Sequence, residues 1–346
     1  MVGKRIHGMD ERGEGAEIFS RLLSAAGRIR RREMPLISIA MATYNGEKYL
    51  REQLDSILAQ THQNFELIVC DDCSTDSTVR ILQEYEKNDG RIKVFINEKN
   101  LGFKKNFEKA IGLCSGDYIA LSDQDDIWLP EHIEILLKKI SDKQLVCGDD
   151  FIIDADGTEN GDLLSSRLCF DFEKNYDLFF RIVCNTTVFS GHSCLYARKL
   201  IEKTLPFPKK CESHDGWISA CAAVLNNAIF IPDVVSKYRI HGRNVSGEHT
   251  KTKFIRRLEI LFNEKFQTDR LSYFDLIFLR FPEISEKRQN DIKNCKRYLE
   301  NRVAGKHRFW TLKFLLKHYS DIYTTNSKKE VLYRIASVLL KKGGTR

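Results

Sequence analysis

The sequence predicts an α/β protein with a mostly parallel sheet flanked by helices, followed by a helical C-terminal region. From Pro35 onward, short runs of β-branched and apolar residues alternate with amphipathic helical patterns, which is typical of βαβ units. The chain has 346 residues, of which 42% are hydrophobic, enough for one large core or for a main domain with a smaller appendage. No apolar run approaches the roughly 18 residues needed to cross a bilayer, so we expect any membrane contact to be peripheral.

Four strands and four helices can be assigned in order after Pro35. The first strand, "LISIAMA", is almost continuously apolar, as a buried strand should be. After the Asn45-Gly46 turn, "GEKYLREQLDSILAQ" places its apolar residues on one helical face. The other elements are strand "FELIVC", helix "STVRILQEYEKN", strand "IKVFIN", helix "FKKNFEKAIGLC", strand "DYIALS" and helix "PEHIEILLKKI".

The two ends of the chain differ in composition from the part between them. Residues 1–33 are charged, contain glycine and lack the apolar stretch of a signal peptide, so we expect a poorly ordered or added segment. Residues 34–247 should form the main α/β domain. Residues 248–346 carry 23 lysines and arginines against 11 acidic residues, so the net charge of +7 is mostly a C-terminal property.

The C-terminal cations alternate with Phe, Leu and Trp at helical spacing. This pattern favours helices that pack an apolar stripe on the main domain, and it also suits contact with anionic lipid. Nucleic-acid binding is not expected, because neither a basic aromatic strand pattern nor helix-turn-helix spacing occurs. The ten cysteines follow no metal-binding spacing, and many lie in apolar segments, which indicates a reducing, cytoplasmic compartment.

Polar and acidic residues end three of the predicted strands. The first strand ends in Thr43-Tyr44-Asn45, the second in Asp71 and Asp72, and the fourth in "SDQDD" at 122–126. In open parallel sheets, ligands bind beyond the carboxyl ends of the strands. Carboxylates gathered there repel one another unless a cation or hydrogen-bond donors neutralise them, and oxygen-rich clusters select Mg²⁺ or Mn²⁺. The pattern therefore predicts a divalent cation that holds phosphate.

Each cluster also has a structural interpretation. Asp126 stands shortly before the helix that opens at Pro130, and Asp76 or Ser74 is placed to cap the second helix. For any single cluster, helix capping explains the residues as well as ligand binding does. "IVCDD" alone is also typical of the acidic pocket of a phospho-acceptor receiver domain, but the third acidic cluster has no role there.

Five segments, taken in order, resemble glycosyltransferase family 2. The segment "DQDDIW" is most similar to the corresponding motif of the bacterial rhamnosyltransferase-like branch of that family. The resemblance covers about residues 35–247. It implies the GT-A fold, a Rossmann-like domain that binds a nucleoside diphosphate sugar and transfers the sugar with inversion. The segments are "ISIAMATYNGEKYLREQLDSILAQTHQNFELIVCDDCSTDST", "NEKNLGFKKNF", "SGDYIALSDQDDIWLPEHI", "HDGWISACAAV" and "SKYRIHGRNVSG".

The resemblance implies roles for the strand-end residues. The Asp71-Asp72 pair would contact the base and ribose, and which of the two meets the base stays open. Asp123 would meet the ribose or the metal, and Asp125 would bind the metal that bridges the diphosphate. Three more residues would line the nucleoside pocket: Thr43, Tyr44 and Asn45.

The resemblance also implies roles for residues later in the chain. Asp215, in "HDGWISACAAV", would be the base that deprotonates the acceptor hydroxyl, although it is also placed to cap its helix. The preceding residue is His214, where the commonest family pair has Glu. His241 would complete the metal shell or contact phosphate, and Arg243 would help to position the diphosphate. The segment 149–211, in which "DADG" predicts a tight turn, is where acceptors would bind.

The function predicted is metal-dependent, inverting transfer of a sugar, rhamnose from dTDP-rhamnose, to a cell-surface polysaccharide or lipid-linked glycan at the cytoplasmic face of the membrane. One alternative is a sugar-phosphate nucleotidyltransferase, but "ATYNGEKYL" is too poor in glycine and cations for the expected triphosphate loop. Another alternative is a catalytically inactive protein that binds a nucleotide sugar or serves as a membrane scaffold. The presence of all the motif carboxylates argues against it.

Overall fold

The computed structural model describes residues 34–168, 170–173, 177–184, 189–211, 213–242 and 264–322, together with residues 332, 335, 338 and 339. The predictions for residues 1–33 and for Arg243 lie outside the described residues.

The first half of the domain alternates strands and helices as the sequence predicts. β1 lies between β2 and β4 and is parallel to both, and β3 is parallel to β2. β1 and β2 are buried almost throughout, which explains why their sequences are continuously apolar. The elements are β1 (Ile37–Thr43), α1 (Leu50–Leu58), β2 (Phe65–Asp71), α2 (Thr78–Asn88), β3 (Ile92–Ile96), α3 (Phe103–Leu113), β4 (Tyr118–Ser122), the short β5 (Ile127–Trp128) and α4 (His132–Ile140).

The second half extends the same sheet and adds antiparallel strands. The order is β3-β2-β1-β4-β8-β6-β9-β5, with β7 paired to β6. The predicted "DADG" turn joins β6 to β7, and Asp154 accepts hydrogen bonds from the backbone N–H groups of Asp156 and Thr158. The elements are β6 (Leu145–Ile153), β7 (Glu159–Leu163), α5 (Leu164–Arg167), α6 (Leu178–Cys184), β8 (Cys194–Ala197), α7 (Arg198–Thr204), α8 (His214–Val224) and β9 (Ala228–Arg239).

Within residues 264–322 of the basic C-terminal region, the structure has four helices. Tyr273, Phe274 and Ile277 of the first of them are buried in the same core as α8, and the Tyr273 ring lies 5.2 Å from that of Trp217. One face of this region therefore packs on the sheet domain. In the described part of the chain, no helix is long and apolar enough to cross a membrane. The helices are α9 (Glu264–Arg280), α10 (Glu286–Ala304), α11 (Arg308–Lys317) and α12 (Tyr319–Ile322).

Candidate active site

The carboxyl ends of β1, β2 and β4 lie at one edge of the sheet. Thr43 pairs with Asp71 in the register of β1 and β2, and Met41 pairs with Ser122 in that of β1 and β4. Because these strands are parallel, the residues that follow each of them emerge at the same edge. The strand-end residues singled out in the sequence are therefore neighbours.

Asp71 ties the loop after β1 to the loop after β2. Its buried carboxylate accepts hydrogen bonds from Thr43 Oγ1 (2.9 Å) and from the backbone N–H (2.8 Å) and hydroxyl (2.5 Å) of Ser74. Ser74 Oγ in turn accepts from Asn45 N at 2.8 Å. Asn45 has a positive φ of 48°, which its short polar side chain tolerates. The carboxylate thus shapes the turn in which Thr43 and Asn45 stand.

Asp72 orders a second loop at the same edge. Its buried carboxylate accepts from Asn97 Nδ2 (2.9 Å) and from the backbone N–H groups of Leu101 (2.7 Å) and Gly102 (2.8 Å). Asp71 and Asp72 therefore both have protein donors as partners. Their contact with base and ribose stays a prediction.

Gln124 holds the backbone of Tyr44. Its side-chain oxygen accepts from Tyr44 N at 2.9 Å, and its amide nitrogen donates to Tyr44 O at 3.1 Å. A Cβ added at Gly46 would lie 2.2 Å from Gln124 Oε1, so only glycine leaves room for this arrangement. Tyr44 keeps about half of its surface exposed at the edge, so its side chain remains accessible to a ligand.

Arg239, at the end of β9, organises the acidic loop after β4. Its backbone N–H donates to Asp126 Oδ1 at 2.9 Å, and its Nε donates to the backbone carbonyl of Asp125 at 2.8 Å. Its guanidinium also bonds Glu52 at 2.5 Å and lies over the Tyr49 ring. Two positions on, His241 Nε2 lies 2.8 Å from Asp125 Oδ2. The two predicted metal ligands, Asp125 and His241, are thus in contact with each other.

A second group of possible ligands includes a histidine that sequence reasoning missed. His192 lies in the 3-10 turn before β8 and is buried. Its Nδ1 is 3.3 Å from Asp126 Oδ2 and 3.7 Å from Asp123 Oδ2. Ligand atoms of Asp123, Asp126 and His192 all lie within 4.8 Å of one another, and no other group of three possible ligands of this kind occurs in the described ranges. His192 gives no sequence signal, because it is a lone histidine within an apolar segment.

The ionisation of each member of this group depends on the charges of the others. Burial would lower the pKa of His192, but Asp126, Asp150 and Asp123 raise it well above its ordinary value. Burial raises the pKa of Asp126 well above the usual range for a carboxyl, reinforced by the charges of Asp125 and Asp123 and opposed by His192. Desolvation also opposes ionisation of Asp123, yet His192 outweighs it and lowers that pKa. The group is therefore arranged to hold positive charge between acids.

The residues fit a divalent cation. Asp126 Oδ2 is buried and accepts no hydrogen bond from any described residue, which is costly unless another group binds it. Asp123 is half exposed, with 47% of its side-chain surface accessible, so the group opens to solvent on one side. Carboxylate oxygens with one imidazole nitrogen are ligands that Mn²⁺ accepts, and Mg²⁺ accepts the oxygens. Separations of 3.3 and 3.7 Å also suit ligands that share one ion at about 2.1 Å.

Asp215 lies beside this group, in the first turn of α8. The N-cap of that helix is Ser213, whose Oγ accepts from Gly216 N, so Asp215 is not the capping residue. A Cβ added at Gly191, next to His192, would lie 3.2 Å from Asp215 Cβ and 3.6 Å from its Oδ2. The preceding His214 is buried and stacks on Phe107, with ring centroids 4.1 Å apart. The Asp215 carboxylate therefore borders the turn that carries His192.

Sequence comparison places the chain in a family. The family model described as "Glycosyl transferase family 2" matches residues 38–205. An uncharacterized glycosyltransferase of Methanocaldococcus jannaschii is 34% identical over 220 residues, which are 61% of this chain and 73% of that protein. The chain belongs to glycosyltransferase family 2. This family 2 member is therefore a nucleotide-sugar glycosyltransferase, while the rhamnosyltransferase-like branch stays a prediction.

Solved structures agree on the fold of this family 2 glycosyltransferase. S. aureus TarS 1-349 in complex with UDP-GlcNAc is similar with a TM-score of 0.56 and 19% identity, over 88% of both chains. The mannosyltransferase PcManGT from Pyrobaculum calidifontis, in complex with GDP-Man and Mn²⁺, is similar with a TM-score of 0.50 and 14% identity, over 94% of both chains. At these identities the likeness shows the fold, and it confirms the predicted GT-A fold class.

Proposed function

We propose that this family 2 glycosyltransferase is metal-dependent and inverting, and that it moves rhamnose from dTDP-rhamnose to a cell-surface polysaccharide or lipid-linked glycan. The observation that carries the metal dependence is the meeting of Asp123, Asp126 and His192 around a buried Asp126 oxygen that accepts no hydrogen bond from the described residues. The choice of rhamnose rests on the resemblance of "DQDDIW" to the rhamnosyltransferase-like branch.

The donor would bind along the edge formed by β1, β2 and β4. Thr43, Tyr44 and Asn45 would line the nucleoside pocket, and their loop is held in shape by Asp71 and Gln124. The Asp71-Asp72 pair would contact the base and ribose. Arg243 would position the diphosphate.

The acidic loop would hold Mg²⁺ or Mn²⁺. When bound, such an ion acts as a Lewis acid for the negative charge that develops on the leaving diphosphate. Asp123, Asp126 and His192, whose ligand atoms lie within 4.8 Å of one another, would hold it. Asp125 and His241, the ligands that the family resemblance implies, contact each other beside this group. Arg239 keeps the loop in place through the backbone carbonyl of Asp125 and the carboxylate of Asp126.

Asp215 would act as the general base. An acceptor hydroxyl is a poor nucleophile at neutral pH, so its proton must pass to a nearby carboxylate as its oxygen attacks the anomeric carbon. Asp215 borders the His192 turn, so it stands at the edge of the ligand group rather than within it. Attack from the face opposite the diphosphate gives inversion.

Replacing Asp215 by Asn tests this assignment. The variant is expected to bind dTDP-rhamnose as the wild type does, while transfer falls by about 10²- to 10⁴-fold because the base is lost. Donor binding is measured by calorimetry, and transfer by release of nucleoside diphosphate in the presence of Mn²⁺. Asp233→Asn, an ion-pair partner of Lys139 at the surface, is the matched control. Unreduced turnover in Asp215→Asn would exclude Asp215 as the base.

A screen of nucleotide sugars tests the donor. Glycosyltransferases hydrolyse their own donor slowly when water replaces the acceptor, so the screen needs no knowledge of the acceptor. We expect Mn²⁺-dependent release of dTDP from dTDP-rhamnose to exceed release from UDP-GlcNAc or GDP-mannose. Preferred hydrolysis of another donor contradicts the rhamnose assignment and leaves the metal assignment standing.

The membrane contact would be made by α11. Phe309 is 83% exposed and Leu316 is 51% exposed, and the exposed Lys313 and Lys317 lie on the same helical face. Phe314, on the other face, is buried in the core, so the fold does not need Phe309 or Leu316 for packing. Apolar side chains between cations match an anionic lipid surface, where each cation contributes about 1 kcal/mol.

Vesicle sedimentation tests this contact. The wild type is expected to sediment with vesicles that contain anionic lipid and not with purely zwitterionic ones, because the face is cationic. The double variant Phe309→Ser, Leu316→Ser should stay in the supernatant. Leu113→Ser, at an exposed position of α3, is the control and should bind as the wild type does. Equal sedimentation of the double variant and the wild type would rule out α11 as the contact.

A further inference from the structure

Asp150, on β6, lies beneath the ligand group and is fully buried. Its Oδ1 accepts hydrogen bonds from the hydroxyls of Ser193 and Ser236, which themselves lie 2.9 Å apart. Its Oδ2 accepts no hydrogen bond from the residues described and lies 3.4 Å from His192 Nε2. One oxygen of Asp150 is therefore occupied by serines, and the other faces the imidazole.

His192 is held between carboxylates on opposite sides of its ring. Nε2 faces Asp150, while Nδ1 faces Asp126 at 3.3 Å and Asp123 at 3.7 Å. The ring stacks on Tyr238, with centroids 5.1 Å apart and planes 9° apart, which fixes the plane of the imidazole. A half-turn of the ring within that plane would bring carbon atoms to the carboxylates, so the carboxylates stabilise the observed orientation, in which Nδ1 faces the half-exposed Asp123.

The backbone around Asp150 is built for this placement. The pairing of β6 with β9 shifts register between Cys147 and Asp149 and again between Asp149 and Asp150. The Asp149 carboxylate accepts hydrogen bonds from the backbone N–H (3.0 Å) and the hydroxyl of Ser165, while the Asp150 carboxylate accepts from the hydroxyls of Ser193 and Ser236. Two consecutive buried acids thus serve different partners, and only Asp150 faces His192.

We propose that Asp150 is a positioning residue that fixes His192 with its proton on Nε2, so that Nδ1 joins Asp123 and Asp126 as a ligand of the divalent cation. The inference rests on the metal dependence proposed above. A histidine that binds a metal commonly donates its other ring N–H to a carboxylate, which sets the tautomer and the ring orientation. Here the two serines fix that carboxylate in turn.

A different role for His192 would give the opposite result. If the imidazole acted only as a cation that neutralises Asp123, Asp126 and Asp150, its removal would leave more negative charge near the acidic loop. The affinity of the loop for a divalent cation would then stay the same or rise. If His192 is a ligand held by Asp150, loss of either residue must weaken cation binding.

Measurement of Mn²⁺ binding distinguishes these two roles of His192, metal ligand and neutralising cation. Free Mn²⁺ is measured by electron paramagnetic resonance during titration of the full chain, alone and with excess dTDP or UDP. Asp150→Asn is expected to weaken Mn²⁺ binding by about 10- to 100-fold, the usual effect of losing such a partner, and His192→Gln by at least as much. Asp149→Asn, the adjacent buried acid, is the matched control and should bind Mn²⁺ within about threefold of the wild type.

Folding is monitored for every variant by circular dichroism and thermal unfolding. If Asp150→Asn does not fold, Ser236→Ala, which removes one of the two hydroxyls that hold Asp150, should give a smaller loss of Mn²⁺ affinity in the same direction. Wild-type affinity in Asp150→Asn, or tighter binding in His192→Gln, overturns the inference. Failure of the wild type itself to bind Mn²⁺ would instead overturn the metal dependence, and the two failures are thus distinguishable.

Discussion

Glu66 is a buried carboxylate at the edge of the sheet opposite the candidate active site, near the start of β2. It accepts hydrogen bonds from Ser38 Oγ (2.7 Å), from Ser115 N (2.6 Å) and from Ser115 Oγ (2.7 Å), and Lys93 Nζ lies 3.3 Å away. Burial would raise the pKa of Glu66, but these donors outweigh it and lower the pKa from its ordinary value of 4.5 to about 2. The ionised carboxylate therefore stabilises the fold.

The size and pH range of this contribution follow from the two pKa values. A fall from 4.5 to about 2 corresponds to about 3.4 kcal/mol of unfolding free energy at neutral pH. Because the pKa is lower in the folded state, this contribution is fully present well above pH 4.5 and is lost as the pH falls towards 2. At about pH 3.5, about 2 kcal/mol remains.

Glu66→Gln removes the charge and keeps the shape of the side chain. Urea unfolding is expected to show the variant less stable than the wild type by up to about 3 kcal/mol at pH 7. The difference in unfolding free energy between wild type and variant should shrink by about 1.4 kcal/mol at about pH 3.5, because only the wild type has the Glu66 carboxylate whose stabilisation is lost on protonation. Tryptophan fluorescence, with Trp128 and Trp217 both buried, reports the transition.

Glu84→Gln is the matched control for Glu66→Gln. Glu84 is an exposed carboxylate paired with Arg51 at 2.7 Å, so its replacement should leave the unfolding free energy nearly unchanged at either pH, because solvent screens the ion pair. If the unfolding free energies of Glu66→Gln and the wild type differ by less than about 1 kcal/mol at pH 7, or if their difference does not shrink in acid, the hydrogen bonds of Glu66 do not stabilise the fold as described.

Three other measurements test the cation, the core and the Tyr44 loop. Chelation by EDTA is expected to abolish sugar transfer and excess Mn²⁺ or Mg²⁺ to restore it; transfer that persists in EDTA contradicts metal dependence. Phe274→Ala should lower the unfolding free energy, measured in urea, by about 3–5 kcal/mol because the ring is fully buried. Phe309→Ala, at an exposed ring, should change it by less than about 0.5 kcal/mol. Gly46→Ala should raise the KM for the donor, because the added Cβ displaces the Gln124 side chain that holds the Tyr44 backbone. An unchanged KM would show that this contact of Gln124 does not contribute to donor binding.

The sequence by itself determined the alternation of strands and helices from β1 to α4. Apolar residues that recur every 2 positions lie on one face of a strand, and those that recur about every 3.6 positions lie on one face of a helix. The local pattern therefore specifies the type of each element. The sequence also determined that the residues after β1, β2 and β4 meet, because parallel strands share a carboxyl edge. The family motifs added the fold class, since those same strand ends carry them.

Only the tertiary structure decided which side chains complete the site. His192 reaches Asp126 because β8 runs antiparallel beside β4, and Arg239 reaches the same loop because β9 pairs with β5. These contacts join residues dozens of positions apart through strand order, which local patterns do not encode. In the sequence, a single histidine or arginine that packs in the core cannot be distinguished from one that binds an ion or a ligand. Its partners exist only once the sheet has formed.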